Sequence, residues 1–518
     1  MTTRRWHMKD RSETRPWRAR GGGYGNDSGG DAAPAVGDVG HARPPRVETG
    51  GGGGNDAITF VDVRVIDGSG APPFDAEVTV RGERIERVRR TSGRSNGYAN
   101  GNGHGNGAGR TNGRSNGNGH ANGHANGHAD GRDRVGGARI VEGRGMTLMP
   151  GLIDAHLHLS WNNAPGIDPI QMMPPEEHML VCVEMAKLLL DSGFTAGRGA
   201  AAAKPRLDVV LRDAIDAGRF PGPRYTAAGP EITTVGGLGD ATKPHIDHPG
   251  LNLGIVVSGP EEIRREVRTL IKWGVDAIKL NLSGEEITGM PAEVTQMSED
   301  EVAMAVQEAK RRGKVVSAHA RSSDSIKQCV RHGIQNVYHA SFADDEALDM
   351  LERNKDRHFV APGLAWLINT ARHAEPWGIK PGSQMADAYE RELEYAIDAM
   401  KKMHRRGIRV LIGGDYGFAW TPHGTNANDL ETFVEMLGFT PLEAIRAATE
   451  LGGQIMGMPG ELGLVREGCL ADLLLVDGDP ATDVACLQDR GNLVAIMKGG
   501  AFHKAPDPVR AGATAHAG

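Results

Sequence analysis

The chain has 518 residues, of which 39% are hydrophobic and 24% charged, and its formal net charge at pH 7 is -7. This length can bury a large core with an accessory domain. The acidic charge balance argues against a protein that coats nucleic acid or an anionic membrane, since both require a cationic surface, so we expect a small-molecule partner. The four cysteines are far apart and form no CxxC motif, which indicates buried thiols and a reducing compartment.

The amino-terminal region, residues 1–55, is rich in Gly, Arg and Pro and has no hydrophobic periodicity, so we predict a disordered tail. Arg4 and Arg5 match the start of a twin-arginine export signal, but no apolar segment follows them. No other segment of the sequence is apolar and long enough to cross a bilayer. These features predict a cytoplasmic protein that does not contact a membrane.

A second low-complexity stretch, residues 91–133, repeats Asn-Gly and Asn-Gly-His. Its histidines could form a metal-collecting loop, but the interpretation we favour is a solvent-exposed insertion at a hairpin tip. Residues 506–518 are predicted to be a second disordered tail.

Short β-rich segments flank this insertion on both sides, with Val, Ile and Thr alternating with polar residues. A matching group of segments lies near the carboxyl end of the chain. The alternation predicts that both chain ends contribute strands to one small β unit. The segments are AITFVDVRVIDGSG, AEVTVRGERIERVRR, ARIVEGRGMTLMPG, GCLADLLLVDGDP and LVAIMKGGAFHK.

Between about Met149 and Met458, short apolar segments alternate with amphipathic helical ones, which is typical of a parallel sheet built from βαβ units. Eight such repeats predict an α/β fold, a (β/α)8 barrel of the TIM type, with its active site at the carboxyl ends of the strands. Thr440, Pro441 and Glu443 predict the start of a late helix through a capping box. The predicted strands are GLIDAHLHL, GFTAGRG, RYTAAGPEI, DAIKLNL, KVVSAHA, NVYHASF, HFVAPGL and RVLIGGD.

Ionisable side chains lie at or near the ends of these predicted strands. His156 and His158 end the first strand, and because they are two residues apart their side chains point to the same face and can bind one ion. A lone histidine is more often a hydrogen-bonded core residue. A set of six at one barrel mouth instead predicts a metal site, because divalent metals prefer imidazole and carboxylate ligands. The other four members are Lys279, His319, His339 and Asp415.

The motifs MPGLIDAHLHL, AIKLNLSG, SAHAR, YHASF and GGDYG resemble, in the same order, those of the amidohydrolase superfamily. The resemblance covers about residues 57–503 outside the insertion. It implies a barrel of residues 149–458 beside a small β-sandwich of residues 56–90, 134–148 and 459–505.

Within the superfamily, the chain looks most like the branch with a strand-four lysine. This branch includes imidazolonepropionase-related proteins, Xaa-Pro dipeptidases and hydrolases of phenylurea herbicides and of the thiocarbamate molinate. Two motifs depart from the dipeptidase pattern, because His-Ala-His is replaced by His319-Ala320-Arg321 and Glu-His-Gly by Tyr338-His339-Ala340. These departures weaken a peptidase assignment and leave the expected metal ligands intact.

The resemblance also implies one or two divalent metal ions, with zinc the first expectation and cobalt, manganese or iron accepting the same ligands. Lys279 would bridge the two ions as an N-carboxylated side chain, because a buried neutral lysine can add carbon dioxide and become anionic. A single-metal site and a purely structural lysine are the alternatives. The implied ligands are His156, His158 and Asp415 for one ion, and His319 and His339 for the second.

The implied reaction is hydrolysis of an amide, urea or (thio)carbamate bond of a small molecule by metal-activated water. Asp415 would take the proton of that water and pass it to the departing nitrogen or sulfur. An Xaa-Pro-type dipeptidase or a cyclic-amide hydrolase is the alternative, and a non-enzymatic scaffold is a poor third because every expected ligand is present. Pairing into a homo-oligomer is a further expectation from the resemblance.

Substrate contacts are expected from polar and aromatic residues on the loops at the barrel mouth, although a solvated residue or a partner of another side chain would explain each position equally well. Three aromatic residues could also line an apolar pocket or simply pack in the core. The candidate substrate contacts are His245, Arg321, Tyr338, Trp420 and His423, and the candidate pocket aromatics are Trp366, Phe418 and Trp420.

Overall fold

The computed structural model describes residues 57–91, 134–135, 138–243, 245–246 and 249–506. The predicted amino-terminal tail, nearly all of the predicted insertion and nearly all of the predicted carboxyl-terminal tail lie outside these residues.

The described residues contain twenty strands. In chain order they are β1 (Ile58–Val65), β2 (Phe74–Arg81), β3 (Arg84–Arg90), β4 (Arg134–Val135), β5 (Ala138–Glu142), β6 (Thr147–Pro150), β7 (Leu152–Leu157), β8 (Phe194–Gly199), β9 (Arg224–Thr226), β10 (Ile232–Thr234), β11 (Ile255–Val257), β12 (Ala277–Asn281), β13 (Ser283–Glu285), β14 (Met290–Thr295), β15 (Val315–Ala320), β16 (Asn336–His339), β17 (Phe359–Ala361), β18 (Leu473–Val476), β19 (Leu493–Lys498) and β20 (Ala501–Lys504).

The same residues contain twelve α-helices. They are α1 (Ile167–Met172), α2 (Pro175–Asp191), α3 (Leu207–Asp216), α4 (Pro260–Trp273), α5 (Glu299–Arg311), α6 (Ser323–His332), α7 (Asp345–Arg353), α8 (Leu364–Arg372), α9 (Gln384–Arg405), α10 (Asn428–Thr432), α11 (Pro441–Ala447) and α12 (Glu450–Ile455).

Local signals in the sequence explain where several helices begin and end. Thr440 and Glu443 form a capping box at the start of α11, which confirms that prediction, with Pro441 in the first turn. Gly274 and Gly333 end α4 and α6 in the left-handed conformation that glycine adopts without strain. None of the described helices combines the length and apolar character needed to cross a lipid bilayer.

Strands from both ends of the described chain form one nine-stranded sheet, hereafter the end sheet. Its main order is β20-β19-β18-β6-β1-β2-β3, and β5 also pairs with β1. β18 runs antiparallel to β6, so the late strands join the early ones edge to edge. Phe60, Leu148 and Leu473 are buried in a hydrophobic cluster between these strands. The two-layer sandwich implied by the resemblance stays a prediction.

The middle of the chain contains parallel strands with helices between them. One sheet has the order β7-β8-β9 and a second has the order β11-β10-β12-β15-β16-β17, and all neighbours in both are parallel. Seven of the eight segments predicted as strands contain one in the structure. Parallel strands alternating with helices give a mixed α/β fold in which the carboxyl ends of the strands lie on one side.

The eighth predicted strand, residues 409–415, is not a regular strand, so that prediction is wrong in detail. The segment forms an isolated parallel bridge between Val410 and Val360. Its backbone nevertheless contacts both neighbours, because Leu411 donates to the Val360 carbonyl at 2.8 Å and Ile412 accepts from the Ala155 amide at 3.1 Å. The chain is extended here without a continuous ladder.

The four cysteines are free thiols. Cys182, Cys329 and Cys469 are buried and Cys486 is half-buried, so the prediction of buried thiols is confirmed for three of them. Burial raises the pKa of Cys182 to about 12 and that of Cys486 to about 11. Both thiols are therefore neutral and unreactive near pH 7.

A paired arginine and aspartate join the parallel strands to the end sheet. Arg224, the first residue of β9, donates to Asp472 through Nε at 2.8 Å and Nη2 at 3.0 Å. The Asp472 side chain is only 1% exposed and also accepts the Gly499 amide at 2.7 Å. Two parallel hydrogen bonds from one guanidinium fix both distance and orientation.

Replacing Arg224 with methionine leaves the Asp472 carboxylate buried without its guanidinium partner. We expect the free energy of unfolding, measured by urea denaturation, to fall by about 3 kcal/mol. Arg372→Met is the matched control, because Arg372 pairs with Glu390 while both side chains are 43% exposed, and it should cost less than about 1 kcal/mol. If Arg224→Met and Arg372→Met lowered the free energy of unfolding equally, a stabilising role for the buried Arg224–Asp472 pair would be contradicted.

Candidate active site

A cavity opens near the carboxyl ends of the parallel strands, and the six ionisable side chains singled out in the sequence all line it. Its space, open mouth included, is about 560 Å³. Four of the six side chains lie on the strands β7, β12, β15 and β16. The other two lie on the loops that follow β7 and residues 409–412. The six residues are His156, His158, Lys279, His319, His339 and Asp415.

His156, His158 and Asp415 form a compact group within this cavity. Nε2 of His158 lies 3.2 Å from Oδ1 of Asp415, and Nε2 of His156 lies 3.7 Å from the same oxygen. One donor atom from each residue lies within 4.8 Å of the others. A single cation could therefore contact all three.

The backbone is strained where two of the six residues lie. His339, Ala340 and Asp415 have φ angles of 74°, 54° and 65°, in the left-handed region that costs non-glycine residues about 1–3 kcal/mol each. Gly363 packs so closely that a Cβ atom there would lie 2.7 Å from Nδ1 of His339. Surrounding contacts thus hold the backbone in the conformation that directs His339 and Asp415 into the cavity.

Residues 423–427 form a loop, hereafter the clamp loop, that fixes β7 and the residue after it, which together carry His156 and His158. Its His423 hydrogen-bonds through Nε2 to the His158 carbonyl at 2.9 Å. Asn426 donates to Asp154 at 2.8 Å, and Asp154 also accepts the His156 amide at 2.8 Å. The loop therefore sets the positions of both histidines through the backbone of β7 and the residue after it.

The other half of the site contains Lys279, His319 and His339. Nε2 of His319 lies 3.0 Å from the Gly284 carbonyl, which leaves Nδ1 as the nitrogen available to a ligand. The rings of His319 and His339 are 4.4 Å apart, and Nε2 of His339 lies 4.0 Å from Oδ2 of Asp415. Nζ of Lys279 lies 3.7 Å from Oε2 of Glu231.

Burial sets the protonation states in this cavity. It lowers the pKa of His156, His319 and His339 well below the usual value, so these imidazoles are neutral. It also lowers the pKa of Lys279, against the opposing effect of the Glu231 charge. Burial alone would raise the pKa of Asp415, but its interactions with the His156 and His158 side chains, including a hydrogen bond with His158, lower it well below its usual value.

These properties fit a divalent metal. Metal ligands must be deprotonated, and neutral imidazoles beside an ionised carboxylate meet that requirement. Nε2 of His156, His158 and His339 all lie within 4.0 Å of the Asp415 carboxylate, so these three nitrogens and the carboxylate face one space that a cation could occupy.

The model of the amidohydrolase family matches residues 147–502 of the chain. The chain belongs to the amidohydrolase family. The family predicted from the motifs is thereby confirmed, and the protein is a hydrolase that acts on carbon–nitrogen bonds.

Individual relatives are similar over most of the chain. Ochratoxinase of Aspergillus niger is 28% identical over 391 residues, which cover 69% of this chain and 76% of ochratoxinase. The crystal structure of a prolidase complexed with N-methylphosphonate-L-proline is 25% identical and superposes with a TM-score of 0.71 over 87% of this chain and 100% of that chain. Phenylurea hydrolase B, 21% identical with a TM-score of 0.63 over 86% of this chain and 96% of its own, shares the fold.

The five residues expected to contact substrate are not among the described residues that line the cavity. His245 is exposed on the loop that follows β10. Tyr338 is fully buried and stacks on His156 with ring centroids 3.9 Å apart. Trp420 donates to Thr370 at 2.9 Å. A position on a loop predicted the direction of these side chains but not their distance from the site.

Arg321 and His423 are likewise buried away from the cavity wall. Arg321 is fully buried and pairs with Glu285 and Glu392. His423 is 3% exposed and contacts the His158 carbonyl, and burial lowers its pKa to about 4. Both residues act through other groups of the site in this structure.

Several residues of the cavity wall were not singled out in the sequence. Glu231 and Glu285 line the cavity, as do Trp161 and a set of aliphatic residues. The consecutive glutamates directly after the AIKLNLSG motif were the available signal for Glu285. Of the candidate pocket aromatics, Trp366 and Phe418 line the cavity and Trp420 packs behind them, with ring centroids 5.7 and 5.1 Å away.

We expect His423→Phe to lower the affinity for a divalent metal by about 10- to 100-fold, because phenylalanine fills the space but cannot donate to the His158 carbonyl. Competition with a metal chelator measures this affinity. His358→Phe is the matched control, since His358 is also buried and contacts a backbone carbonyl, that of Ile334, at 2.7 Å. The same loss of metal in both variants would show that His423 has no specific effect on the site.

Proposed function

We propose that this amidohydrolase is metal-dependent and cleaves an amide, urea or (thio)carbamate bond of a small, largely apolar molecule. The observation that carries the proposal is the convergence of four histidines, Lys279 and Asp415 on one buried cavity. The neutral state of the buried imidazoles and the ionised state of Asp415 support it, because these are the states that bind a cation.

The architecture that we infer around this site is a closed (β/α)8 barrel. Its eight members would be β7, β8, β9, β12, β15, β16 and β17 together with the 409–412 segment. Asp276 and Ala277 both donate to the Ala227 carbonyl, which links the β9 and β12 regions. The contacts of Leu411 with Val360 and of Ile412 with Ala155 support closure of this ring between β17 and β7. Such a barrel has its active site at the carboxyl ends of its strands, where the cavity lies.

His156, His158 and Asp415 would hold one divalent ion, with zinc the first candidate, and His319 and His339 would hold a second. Lys279 lies in the same cavity with a lowered pKa, which supports its conversion to an N-carboxylated bridge. A bound divalent cation would supply a Lewis acid that polarises the substrate carbonyl and makes water nucleophilic at neutral pH.

Asp415 is the residue that we assign to proton transfer. Its side chain is 18% exposed, whereas those of His156, His158 and His339 are at most 4% exposed. Its carboxylate can therefore reach an attacking water, accept a proton from it and deliver that proton to the departing nitrogen. The strained backbone at Asp415 fixes the direction of this carboxylate.

The cavity walls support an apolar substrate. Trp161, Trp366 and Phe418 line the cavity beside four aliphatic residues, and such walls select flat or branched apolar groups. The ochratoxinase relative, which is 28% identical, supports a small-molecule substrate. The prolidase relative keeps an Xaa-Pro-type dipeptidase as the second candidate.

A substrate panel with metal removal tests the proposed function. We expect the full-length protein to hydrolyse at least one of an acetanilide, a phenylurea and a thiocarbamate faster than an Xaa-Pro dipeptide. Incubation with a chelator should abolish this activity, and zinc or manganese should restore it. Faster cleavage of the dipeptide would favour the second candidate, and activity that resists complete removal of metal would contradict a metal-dependent mechanism.

Asp415→Asn keeps the shape of the side chain but removes its ability to carry a proton. We expect kcat/KM for the best panel substrate to fall by about 1,000-fold or more, because proton transfer and cation binding are lost together. Asp356→Asn, at an exposed position, is the control and should leave kcat/KM unchanged. Near wild-type turnover by the Asp415 variant at full metal content would exclude this residue as the proton carrier.

A further inference from the structure

Glu285 is a carboxylate in the cavity wall that the proposed mechanism does not use. It is the last residue of β13 and is 5% exposed. Its Oε1 accepts the hydroxyl of Tyr389 and the indole Nε1 of Trp366, the latter at 3.3 Å. Its Oε2 contacts the guanidinium of Arg321. The carboxylate is therefore held in one place and orientation.

The buried cluster around Glu285 has an excess of negative charge. Arg321 pairs with both Glu285 and Glu392, and Glu392 also accepts the Ser341 hydroxyl at 2.6 Å. Two carboxylates thus share one guanidinium in a region shielded from water. An unbalanced buried charge is costly, so such a cluster favours binding either a proton or another cation. Consistent with this, burial raises the pKa of Glu285 to about 7.

Only one of the two carboxylates reaches the cavity. Glu285 is part of the cavity wall, whereas Glu392 is not among the described residues that line it. A cation that neutralises the cluster can therefore approach Glu285 from the substrate side. Trp366 lines the same wall and donates to Glu285, so an aromatic substrate that packs on the indole would bring its substituents close to the carboxylate.

Cationic side chains are scarce elsewhere in the cavity. Among its described lining residues, Lys279 is the only lysine or arginine, and the proposed function assigns it to the metals. Glu231 and Glu285 add two carboxylates to that of Asp415. Apart from the metal ions of the proposed function, a substrate carboxylate would thus find no free cationic partner among these described lining residues.

We propose that Glu285 is a substrate-recognition residue that binds an ammonium group, so that the amidohydrolase favours basic aryl amides and ureas over those that carry a free carboxylate. This inference rests on the proposed function, because it names the substrate class of the same cavity. A charge-assisted hydrogen bond from ammonium to a buried carboxylate contributes about 1.5–3 kcal/mol, which corresponds to about 10-fold or more in affinity.

Binding of three matched probes tests the preference. The probes are acetanilides with a para aminomethyl, hydroxymethyl or carboxylate substituent, added to the full-length metal-loaded protein. Quenching of the cavity tryptophans, Trp161 and Trp366, reports the dissociation constant. We expect the aminomethyl probe to bind about 10-fold more tightly than the hydroxymethyl probe and the carboxylate probe to bind most weakly. Tightest binding of the carboxylate probe to the wild-type protein would overturn the proposal without any variant.

Two variants distinguish a specific effect of Glu285 on probe binding from a general structural effect. Glu285→Gln should remove most of the preference for the aminomethyl probe while the hydroxymethyl probe binds within about threefold of wild type. Glu308→Gln is the matched control, since Glu308 is a buried glutamate that pairs with Arg268 on the outer helices α4 and α5, and it should keep the preference. An unchanged preference in Glu285→Gln would also overturn the proposal.

Binding and turnover distinguish this proposal from the one on which it rests. Tight binding of the aminomethyl probe in the expected order, without hydrolysis of any panel compound, would support the ammonium subsite and contradict the proposed reaction. Hydrolysis that is fastest for the carboxylate probe would support the reaction and contradict the subsite.

Discussion

Five buried ionisable side chains share one cavity with the partly exposed Asp415, and this burial is the constraint on which the rest of the site depends. Water solvates these groups poorly, so each must be neutral, paired or bound to an ion. Burial keeps the imidazoles of His156, His319 and His339 neutral, while Asp415 stays ionised beside them. The result is a set of lone pairs directed at a common space, which is the electrostatic situation that a divalent cation stabilises.

The stretch of chain from Gly413 to Asp429 provides many of the contacts that hold the site in place. Gly413 lies so close to β7 that a Cβ atom there would be 2.9 Å from the His156 backbone nitrogen, and its amide is held by Asp429 at 3.0 Å. Asp415 lies two residues further on, and the clamp loop then returns to fix the backbone around His156 and His158. Close approach through glycine and strain at Asp415 explain why this segment is extended without forming a regular eighth strand.

The sequence predicted those parts of the site that follow from local periodicity. Alternation along a strand placed His156 and His158 on one face, and the order of the motifs predicted Lys279, His319 and His339 in the same cavity. Substrate contacts were less predictable, because they depend on how far a loop folds back. Tyr338 and His423 are near the site in space, yet each is buried behind a histidine, and no local signal in the sequence encodes that depth.

Arg321 affects the site although its side chain does not line the cavity. It lies two residues after His319, but β15 ends at Ala320, so strand alternation no longer directs its side chain toward the cavity. The guanidinium instead pairs with Glu285 and Glu392, and the cavity gains the Glu285 carboxylate rather than a fifth imidazole or a free arginine. The replacement of the dipeptidase histidine by Arg321 therefore changes the chemistry of the cavity wall indirectly. A buried arginine requires an acidic partner, and one of its partners here is Glu285, which lines the cavity.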